Sequence, residues 1–367
     1  MKEILQDLSY QELEAMTLSL GEKKFRAGQL AAGLTQGKRI SEISTLSKTF
    51  KERLLEQFED APVTVKERFT SSDGTEKFLF SLADGNLVEG VAMRYKYGVT
   101  QCVSTQVGCR MGCSFCASTL NGLIRNLTAG EILCQILTVN ALLRAANARN
   151  AKEEGGMPAK DARAVTNVVL MGSGEPLDNY DNTIKFLRNV TAPEGLGISA
   201  RNISLSTCGL VDKMYDLAKE GIPINLTVSL HATTDEDRKR IMPVARAWSI
   251  EKILKACENY FEKTGRRYYF EYTLIAGENS DEAHADALIR LLKGKPCHVN
   301  LIRLNKVKER ALSPTEEKEA YRFLGRLEKG GISATLRRQM GSDIGGACGQ
   351  LRAGYLAKNT ARERGDE

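Results

Sequence analysis

The sequence predicts an α/β protein in which alternating strands and helices follow a helical N-terminal part and a short β meander. Three observations predict this class. Apolar residues recur at helical spacing up to about residue 60, short alternating stretches follow to residue 107, and strand-like runs then alternate with helical segments to residue 337. Alternation of this length implies a parallel sheet, either open or closed as a barrel.

Composition excludes several other classes. Of 367 residues, 42% are hydrophobic and 27% are charged, and 52 Lys and Arg against 46 Asp and Glu leave a net charge of +6, so the chain is neither disordered nor collagen-like. No apolar run approaches the ~20 residues that cross a bilayer, and no apolar leader follows the N-terminus, so we expect a cytoplasmic protein without membrane contact. The positive charge permits nucleic-acid binding without requiring it.

Residues 1–60 are predicted to form a small helical accessory domain. Its helically spaced apolar residues are Leu5, Leu8, Leu13, Met16 and Leu20, then Phe25, Leu30 and Leu34, then Leu46, Phe50, Leu54 and Phe58. Its basic side chains are Lys23, Lys24, Arg26, Lys38 and Arg39. They suit phosphate contacts, although a solvated helix face is the commoner explanation of such a run.

Residues 61–100 are predicted to form a β meander that links the helical part to the rest of the chain. Alternating stretches such as EKFLFSL and LVEGVAMRY are separated by Asp73-Gly74 and Asp84-Gly85. Asp-Gly between such stretches is among the strongest short hairpin signals, because both residues tolerate the positive φ of the favoured turns.

Residues 101–340 are predicted to form the core of strand–helix units. The strand-like runs are 101–107, 165–171, 202–206, 224–230, 268–275, 298–304 and 332–337. Helices are predicted at about 128–149, 180–191, 211–220, 249–264, 282–293 and 314–329. Thr128 and Glu131 have the spacing of a capping box at the first of these helices. Residues 341–367 follow as a loop and a charged tail.

The most informative stretch is GCRMGCSFC, which places Cys109, Cys113 and Cys116 in one short loop after a strand. Three thiolates so close together can hold three corners of an iron–sulfur cluster and leave a fourth iron open. A structural zinc site would need a fourth ligand, normally from a second cysteine pair that this chain lacks. Zinc binding and three unreactive structural cysteines are the alternatives.

The cysteine spacing resembles that of the radical S-adenosylmethionine (SAM) enzymes. The resemblance implies a [4Fe–4S] cluster on the three cysteines and SAM bound through its amino and carboxylate groups to the open iron. It implies that an electron from the cluster cleaves SAM to a 5′-deoxyadenosyl radical. It also implies the fold, which in this superfamily is usually a partial (βα)6 barrel similar to a TIM barrel.

Small and polar residues follow several of the predicted strands, where a parallel barrel carries its active site. They are the cysteine loop, the stretch 172–176 with Glu175, the stretch 204–209, Ser229 to His231, and Asn305. Taken one at a time, such residues also commonly end strands that have no functional role. Glu175 is more specific, because its carboxylate could accept a hydrogen bond from the SAM ammonium.

Further landmarks resemble the RlmN/Cfr family of radical SAM RNA adenine methyltransferases over nearly the whole chain. They are GEP at 174–176, SLHA at 229–232, IMP at 241–243, CHVNLI at 297–302 and ACGQL at 347–351. The family methylates carbon 2 or carbon 8 of adenine, and Pro176 resembles the carbon 2 branch. Ser173 and Gly346 depart from the family's usual methionine and alanine.

The resemblance implies roles for three outlying residues. Cys348 takes a methyl group from one SAM, and after the radical from a second SAM removes a hydrogen atom, the methylene adds to the adenine ring. Cys102 helps to deprotonate carbon 2 and releases the covalent RNA adduct by forming a disulfide with Cys348. Glu89 matches the acidic active-site residue and is expected to act as a base or to position the proton transfer. An inert buried thiol is the alternative for either cysteine.

The same resemblance implies the remaining site residues, the substrates and the partners. The residues carried over for SAM contact are Gly174, Glu175, Ser206, Ser229, Leu230, His231 and Asn305. The substrates are adenosine in 23S rRNA near the peptidyl-transferase centre and, in many members, the tRNA adenosine beside the anticodon. A flavodoxin-type protein is expected to donate electrons. The rival functions are carbon 8 methylation and a zinc-stabilised RNA-binding protein that uses Cys102 or His231 as its fourth ligand.

Overall fold

The structure, a computed structural model, describes residues 2–153, 165–307, 309–344 and 355. The chain begins with three helices, α1 (Tyr10–Ser19), α2 (Phe25–Thr35) and α3 (Lys48–Gln57). The side chains of Ser9 and Ser47 cap α1 and α3. These helices share a core of their own, made of Leu5, Leu13, Ala27, Leu30, Leu34, Ile40, Ile43, Leu46, Phe50, Leu54 and Phe58.

Four antiparallel strands follow, and they form the meander. They are β1 (Val63–Thr70), β2 (Glu76–Leu82), β3 (Leu87–Tyr95) and β4 (Gly98–Cys102). Gly74 and Gly85 have φ angles of 80° and 82°, as the Asp-Gly turns require. The meander therefore reaches two residues beyond the range predicted for it.

The single strand predicted over residues 101–107 is wrong, because the chain forms two strands there. β4 ends at Cys102, and β5 (Gln106–Gly108) pairs with β6 (Leu123–Asn126) in a separate two-stranded sheet. Between them, the backbone N–H of Ser104 donates to Gln135 Oε1 at 2.9 Å, and Gln135 Nε2 donates to the Ser104 carbonyl at 2.9 Å. The side chain of Gln135 thus takes both backbone groups that would have continued the strand.

Six more strands continue the main sheet in parallel from β4. They are β7 (Val165–Leu170), β8 (Ile203–Thr207), β9 (Asn225–Ser229), β10 (Tyr268–Leu274), β11 (Cys297–Arg303) and β12 (Ala334–Leu336). The ten strands form one sheet in the order β1-β2-β3-β4-β7-β8-β9-β10-β11-β12. No strand pairing within the described residues closes this sheet on itself, so the predicted partial barrel is confirmed.

Helices alternate with the parallel strands. They are α4 (Ala129–Glu153), α5 (Tyr180–Thr191), α6 (Val211–Lys219), α7 (Asp235–Ile241), α8 (Ile250–Thr264), α9 (Glu282–Leu292) and α10 (Glu317–Lys329). The capping box before α4 is present, with Glu131 N to Thr128 Oγ1 at 3.1 Å and Thr128 N to Glu131 Oε2 at 3.0 Å. Short 3₁₀ turns lie at Leu5–Asp7, Ile40–Glu42, Ala117–Thr119, Ala200–Asn202, Pro243–Arg246 and Ser342–Ile344.

Three helices differ from the sequence predictions. α4 ends at Glu153, about four residues later than predicted, and α10 begins three residues later than predicted. α7 was not predicted, because its sequence DEDRKRI has almost no apolar periodicity; its first turn is fixed by the side chain of Thr234, which accepts from Asp237 N at 3.1 Å. Helix α4 over Ala129–Arg149 is long and apolar enough to cross a membrane by length and composition alone, but 67% of that window is buried inside the protein, as in a core helix.

Candidate active site

A cavity of about 270 Å³ lies at the carboxyl ends of the parallel strands. Most of the residues predicted to bind the cluster or SAM line it. They are Cys109, Cys113, Cys116, Gly174, Glu175, Ser206, Ser229, His231 and Asn305. Leu230 is the exception in the SAM group, because its side chain is fully buried in the main core. The strand ends therefore converge as expected for a parallel barrel.

Backbone contacts fix the shape of the cysteine loop. At Gly108, φ is +81° and an added Cβ would lie 2.0 Å from the Gly122 carbonyl oxygen, so only glycine fits. The N–H of Cys109 donates to that same carbonyl at 2.9 Å. Thr119 Oγ1 lies 3.2 Å from the Cys113 carbonyl and 2.9 Å from the Cys116 carbonyl. The loop is thus held in place by hydrogen bonds that do not involve the thiols.

The three thiols have an environment that suits a metal cluster. Burial, with the nearby Cys116, Glu175 and Asp178 adding to it, raises the pKa of Cys109 to about 12, and burial also raises the pKa of Cys113. A bound metal reverses this, because coordination deprotonates a thiol. The chemistry of this donor set, three thiols grouped on one loop with Cys109 and Cys113 buried and Cys116 half-buried, therefore fits a cluster that takes one thiolate at each of three irons.

A single zinc ion fits less well. His231 has its Nδ1 occupied by the N–H of Thr273 at 3.0 Å, and Cys102 lines a different cavity. The zinc-stabilised alternative therefore gains no support from the geometry.

Glu175 is held in a fixed position by backbone groups. Its N–H donates to Gln106 Oε1 at 2.8 Å, and its carboxylate accepts from the N–H groups of Leu177 at 3.0 Å and Cys208 at 2.7 Å. Burial raises the pKa of this carboxyl, while these hydrogen bonds oppose the rise. The side chains of Thr207 and Cys208 also interact with this carboxylate and favour its charged form.

His231 has an unusual backbone conformation. It is the one non-glycine residue of the described chain with positive φ, at 56°. Its ring packs edge-on against Phe115 with centroids 4.8 Å apart. Burial, and then the positive charge of Arg238, lower its pKa to about 3, so the ring is neutral. Because Nδ1 accepts from Thr273, the proton lies on Nε2, which is a hydrogen-bond donor.

Arg238 lies on α7 and was not predicted from the sequence. Its side chain has no exposed surface, and it donates to the carbonyls of Cys208 at 2.6 Å, Ser229 at 3.0 Å and Leu230 at 3.2 Å. Its Nη1 has no hydrogen-bond partner among the described residues. Arg238 therefore ties together the ends of β8 and β9, directly beside the cavity. No sequence signal marked it, because DEDRKRI has the composition of a solvated helix.

A second cavity, of about 370 Å³, adjoins the first and contains Cys102. The two share Met171, Glu271, Ile302 and Asn305 in their linings. Glu271 was also missed, although a carboxylate inside the apolar run YYFEYTLI was a usable signal. Its Oε1 accepts from Arg337 Nη1 at 2.8 Å. The other basic residues that line this second cavity are Arg303, Lys306 and Arg338.

Glu89 lies outside the linings of both cavities. It is 1% exposed, and its carboxylate forms an ion pair with Lys77 at 3.1 Å, between β2 and β3. Val91, two residues along β3 and hence on the same face, lines the second cavity. Cys348 lies outside the described residues, so the structure places two of the three predicted catalytic residues.

The other described cysteines are mostly packing residues. Cys134, Cys257 and Cys297 are buried in the main core. Cys208 is buried too, but it lines the first cavity beside Glu175. No disulfide forms among the eight cysteines of the described residues.

Comparison with known proteins identifies the class. A model of the radical SAM superfamily matches residues 103–288. A crystal structure of a radical SAM methyltransferase from Sphaerobacter thermophilus superimposes with a TM-score of 0.85 and 40% identity, covering 95% of this chain and 98% of that one. The partial barrel and the three-cysteine loop are thus those of a radical SAM protein, and the chain belongs to this superfamily.

Relatives of nearly equal length specify the family. "Probable dual-specificity RNA methyltransferase RlmN" of Clostridium perfringens strain 13 is 48% identical over 359 residues, which are 97% of this chain and 98% of the relative. The protein of that name in Alkaliphilus metalliredigens is 46% identical over 361 residues, covering 98% and 97%. The chain belongs to the RlmN family.

Proposed function

We propose that this protein methylates carbon 2 of adenosine in RNA, both in 23S rRNA at the peptidyl-transferase centre and in tRNA beside the anticodon. The observation that carries the proposal is the adjacency of two cavities. One contains the three-cysteine loop, and the other contains Cys102 among basic side chains. The relatives' description as dual-specificity RNA methyltransferases supports RNA as the substrate.

In this proposal, Cys109, Cys113 and Cys116 hold a [4Fe–4S] cluster. When bound, the cluster supplies the electron that cleaves SAM reductively. Glu175 accepts a hydrogen bond from the SAM ammonium while Leu177 N and Cys208 N keep its carboxylate in place. Gly174, Ser206, Ser229, His231 and Asn305 supply the rest of the SAM surface, and the neutral His231 donates from Nε2. Leu230 contributes through its backbone, since its side chain lies in the core.

The cysteine chemistry follows from the electronic character of the target. Carbon 2 of adenine is electron-poor, so it cannot displace a methyl group from SAM directly. Cys348 accepts that methyl group first, from one of two SAM molecules used per turnover. The second SAM would supply the radical that removes a hydrogen atom from the S-methyl group, so that the methylene carbon can bond to carbon 2. The ring is restored by loss of the carbon 2 proton, which Cys102 assists, and of one electron, which the cluster would take back. Cys102 Sγ then attacks Cys348 Sγ, the sulfur–carbon bond breaks, the methylene carbon takes up a proton to become the methyl group, and a transient disulfide remains, to be reduced by a cellular thiol before the next turnover. The buried partner Lys77 keeps Glu89 in a fixed place, from which it positions the proton transfer.

Each part of the chain is proposed to have its own role in binding or methylating RNA. Residues 1–60 form an accessory RNA-binding domain, residues 61–100 an extension of the barrel, residues 101–340 the catalytic core, and residues 341–367 the loop that carries Cys348. Arg337 and Arg338, which line the second cavity, are candidates for phosphate contacts. Reduction by a flavodoxin-type donor and a cytoplasmic location complete the proposal.

One experiment tests the proposal. The protein is purified without oxygen and incubated with SAM, a reductant and either a 23S rRNA fragment or tRNA, and the digested nucleosides are compared with 2-methyl- and 8-methyladenosine by mass spectrometry. The expected product is 2-methyladenosine from both RNAs. A colourless protein with zinc and without iron or sulfide would refute the cluster. Formation of 8-methyladenosine would show that the enzyme methylates carbon 8 and not carbon 2.

A further inference from the structure

Two stacked tyrosines extend from the second cavity to the protein surface. Tyr95 is the last residue of β3 and lines this cavity, and Tyr97 lies in the turn before β4. Their ring centroids are 5.0 Å apart and the ring planes differ by only 5°. Tyr97 is 68% exposed. Since Tyr95 covers one face of the Tyr97 ring, the other face is open to solvent.

The turn that carries Tyr97 is tightly anchored. Gly98 has a φ of +134°, and a Cβ there would lie 2.1 Å from Thr166 Oγ1, a residue of the neighbouring strand β7. That close approach needs glycine and fixes the turn against the parallel sheet. The tyrosine pair is thus presented by a defined piece of backbone, and its stacking is available without ordering a loop first.

Positive charge surrounds the inner end of the pair. The cavity beside Tyr95 is lined by four basic residues, Arg303, Lys306, Arg337 and Arg338, and by one carboxylate, Glu271, which pairs with Arg337. Arg338 makes no ion pair with a carboxylate of the described residues. Arg337 and Arg338 line the same cavity as Tyr95.

An exposed aromatic face beside a cavity lined by four basic side chains matches the chemistry of unpaired RNA. Bases in single strands stack on aromatic side chains, and basic side chains follow the phosphates. We propose that Tyr95 and Tyr97 form a platform on which an unpaired base of the substrate RNA stacks, within a few nucleotides of the one that enters the Cys102 cavity. The inference rests on the proposed function, since it assumes that RNA reaches this cavity.

The register of the hairpin sets the distance from the platform to Cys102. Tyr95 pairs with Gly98 at one end of β4, and Val91 pairs with Cys102 at the other. Four residues of strand span about 13 Å. The base on Tyr97 is therefore within a few nucleotides of the target adenosine, so the platform selects a strand that is unpaired on that side of the target.

The test measures RNA affinity and methylation with the full-length holoenzyme. The probe is a short, unstructured, fluorescein-labelled RNA with one adenosine among uridines. Tyr97→Ala is expected to weaken binding about 5- to 150-fold, the range for losing one base–aromatic stack, and to raise KM with little change in kcat. Tyr97→Trp is expected to restore the affinity, whereas Tyr97→Leu, which is apolar but not aromatic, is not.

Tyr321→Ala is the matched control, because Tyr321 is 57% exposed on α10 and lines neither cavity. Equal RNA affinities for Tyr97→Ala and Tyr321→Ala would overturn the platform. A second result would also overturn it: Tyr97→Ala lowers the melting temperature, and Tyr97→Leu restores both the melting temperature and the activity. The tyrosine pair would then only stabilise the hairpin. If the wild type binds the RNA through Tyr97 but methylates no RNA, the platform stands and the proposed function fails.

Discussion

Replacing Glu175 with alanine should damage folding and SAM binding by amounts that can be separated. The carboxylate is 4% exposed and accepts from two backbone N–H groups, those of Leu177 and Cys208. Alanine leaves both donors buried without a partner, which costs ~1 to 3 kcal/mol each, or about 2 to 6 kcal/mol of the free energy of unfolding. A ligand ammonium that loses its charged acceptor costs a further ~1.5 to 3 kcal/mol of binding, or about 10- to 150-fold in Kd.

Ser206→Ala separates the two effects. Ser206 lines the same cavity, and its hydroxyl makes no hydrogen bond to the described part of the protein. Its loss should change the free energy of unfolding by less than about 0.5 kcal/mol while weakening SAM binding about two- to tenfold. Urea denaturation followed by circular dichroism gives the first quantity, and anaerobic equilibrium dialysis with SAM gives the second. Unchanged stability together with unchanged affinity in Glu175→Ala would refute the reasoning.

Three further predictions test other parts of the site. Cys113→Ala should lose iron and SAM cleavage, measured by iron analysis and release of 5′-deoxyadenosine; full iron content with methylated RNA would show that the ligand is wrong. Cys102→Ala should accumulate a nuclease-sensitive protein–RNA adduct on denaturing gels, and the adduct should vanish when Cys348 is also changed; release of free methylated product by Cys102→Ala would overturn its role. Protonation of His231 in the unfolded chain should destabilise the folded protein in acid. The pKa of this side chain is about 3 in the folded state, whereas in the unfolded chain it is near the usual value of 6.5. The free energy of unfolding should therefore fall as pH drops from about 6.5 towards 3, and less steeply in His231→Gln; equal slopes would contradict this.

The order of strands was predictable because each parallel strand is a short apolar run between polar segments. Six of the seven predicted core strands lie within two residues of their observed positions. The prediction of one strand over 101–107 failed because of Gln135, which is 31 residues away from Ser104 in the sequence. Its side chain forms the hydrogen bonds to the Ser104 backbone that a neighbouring strand would otherwise form. Sequence patterns detect periodicity within a segment, but they do not show which distant side chain will take its backbone groups.

The site follows the same division. The cysteine loop and Glu175 were predictable, because thiol spacing and strand-end glycines are local signals. Arg238 was not, because its role depends on three carbonyls from two other strands. The Lys77–Glu89 pair was equally hidden, since it requires the register between β2 and β3. Site residues that belong to a local motif can be predicted from the sequence. Site residues whose contacts come from strands far away in the sequence cannot.

The position of Cys102 at the end of β4 also bears on how the molecule folds. On one side, β4 pairs with its neighbour in sequence, so that Tyr95 faces Gly98; on the other, Cys102 faces Val169, 67 residues further along the chain. Hairpins form early and pairings between distant segments form late. Cys102 therefore acquires its buried surroundings only once the barrel has joined the meander. The rate at which its thiol becomes resistant to alkylation during refolding therefore measures how fast the meander and the parallel strands pair.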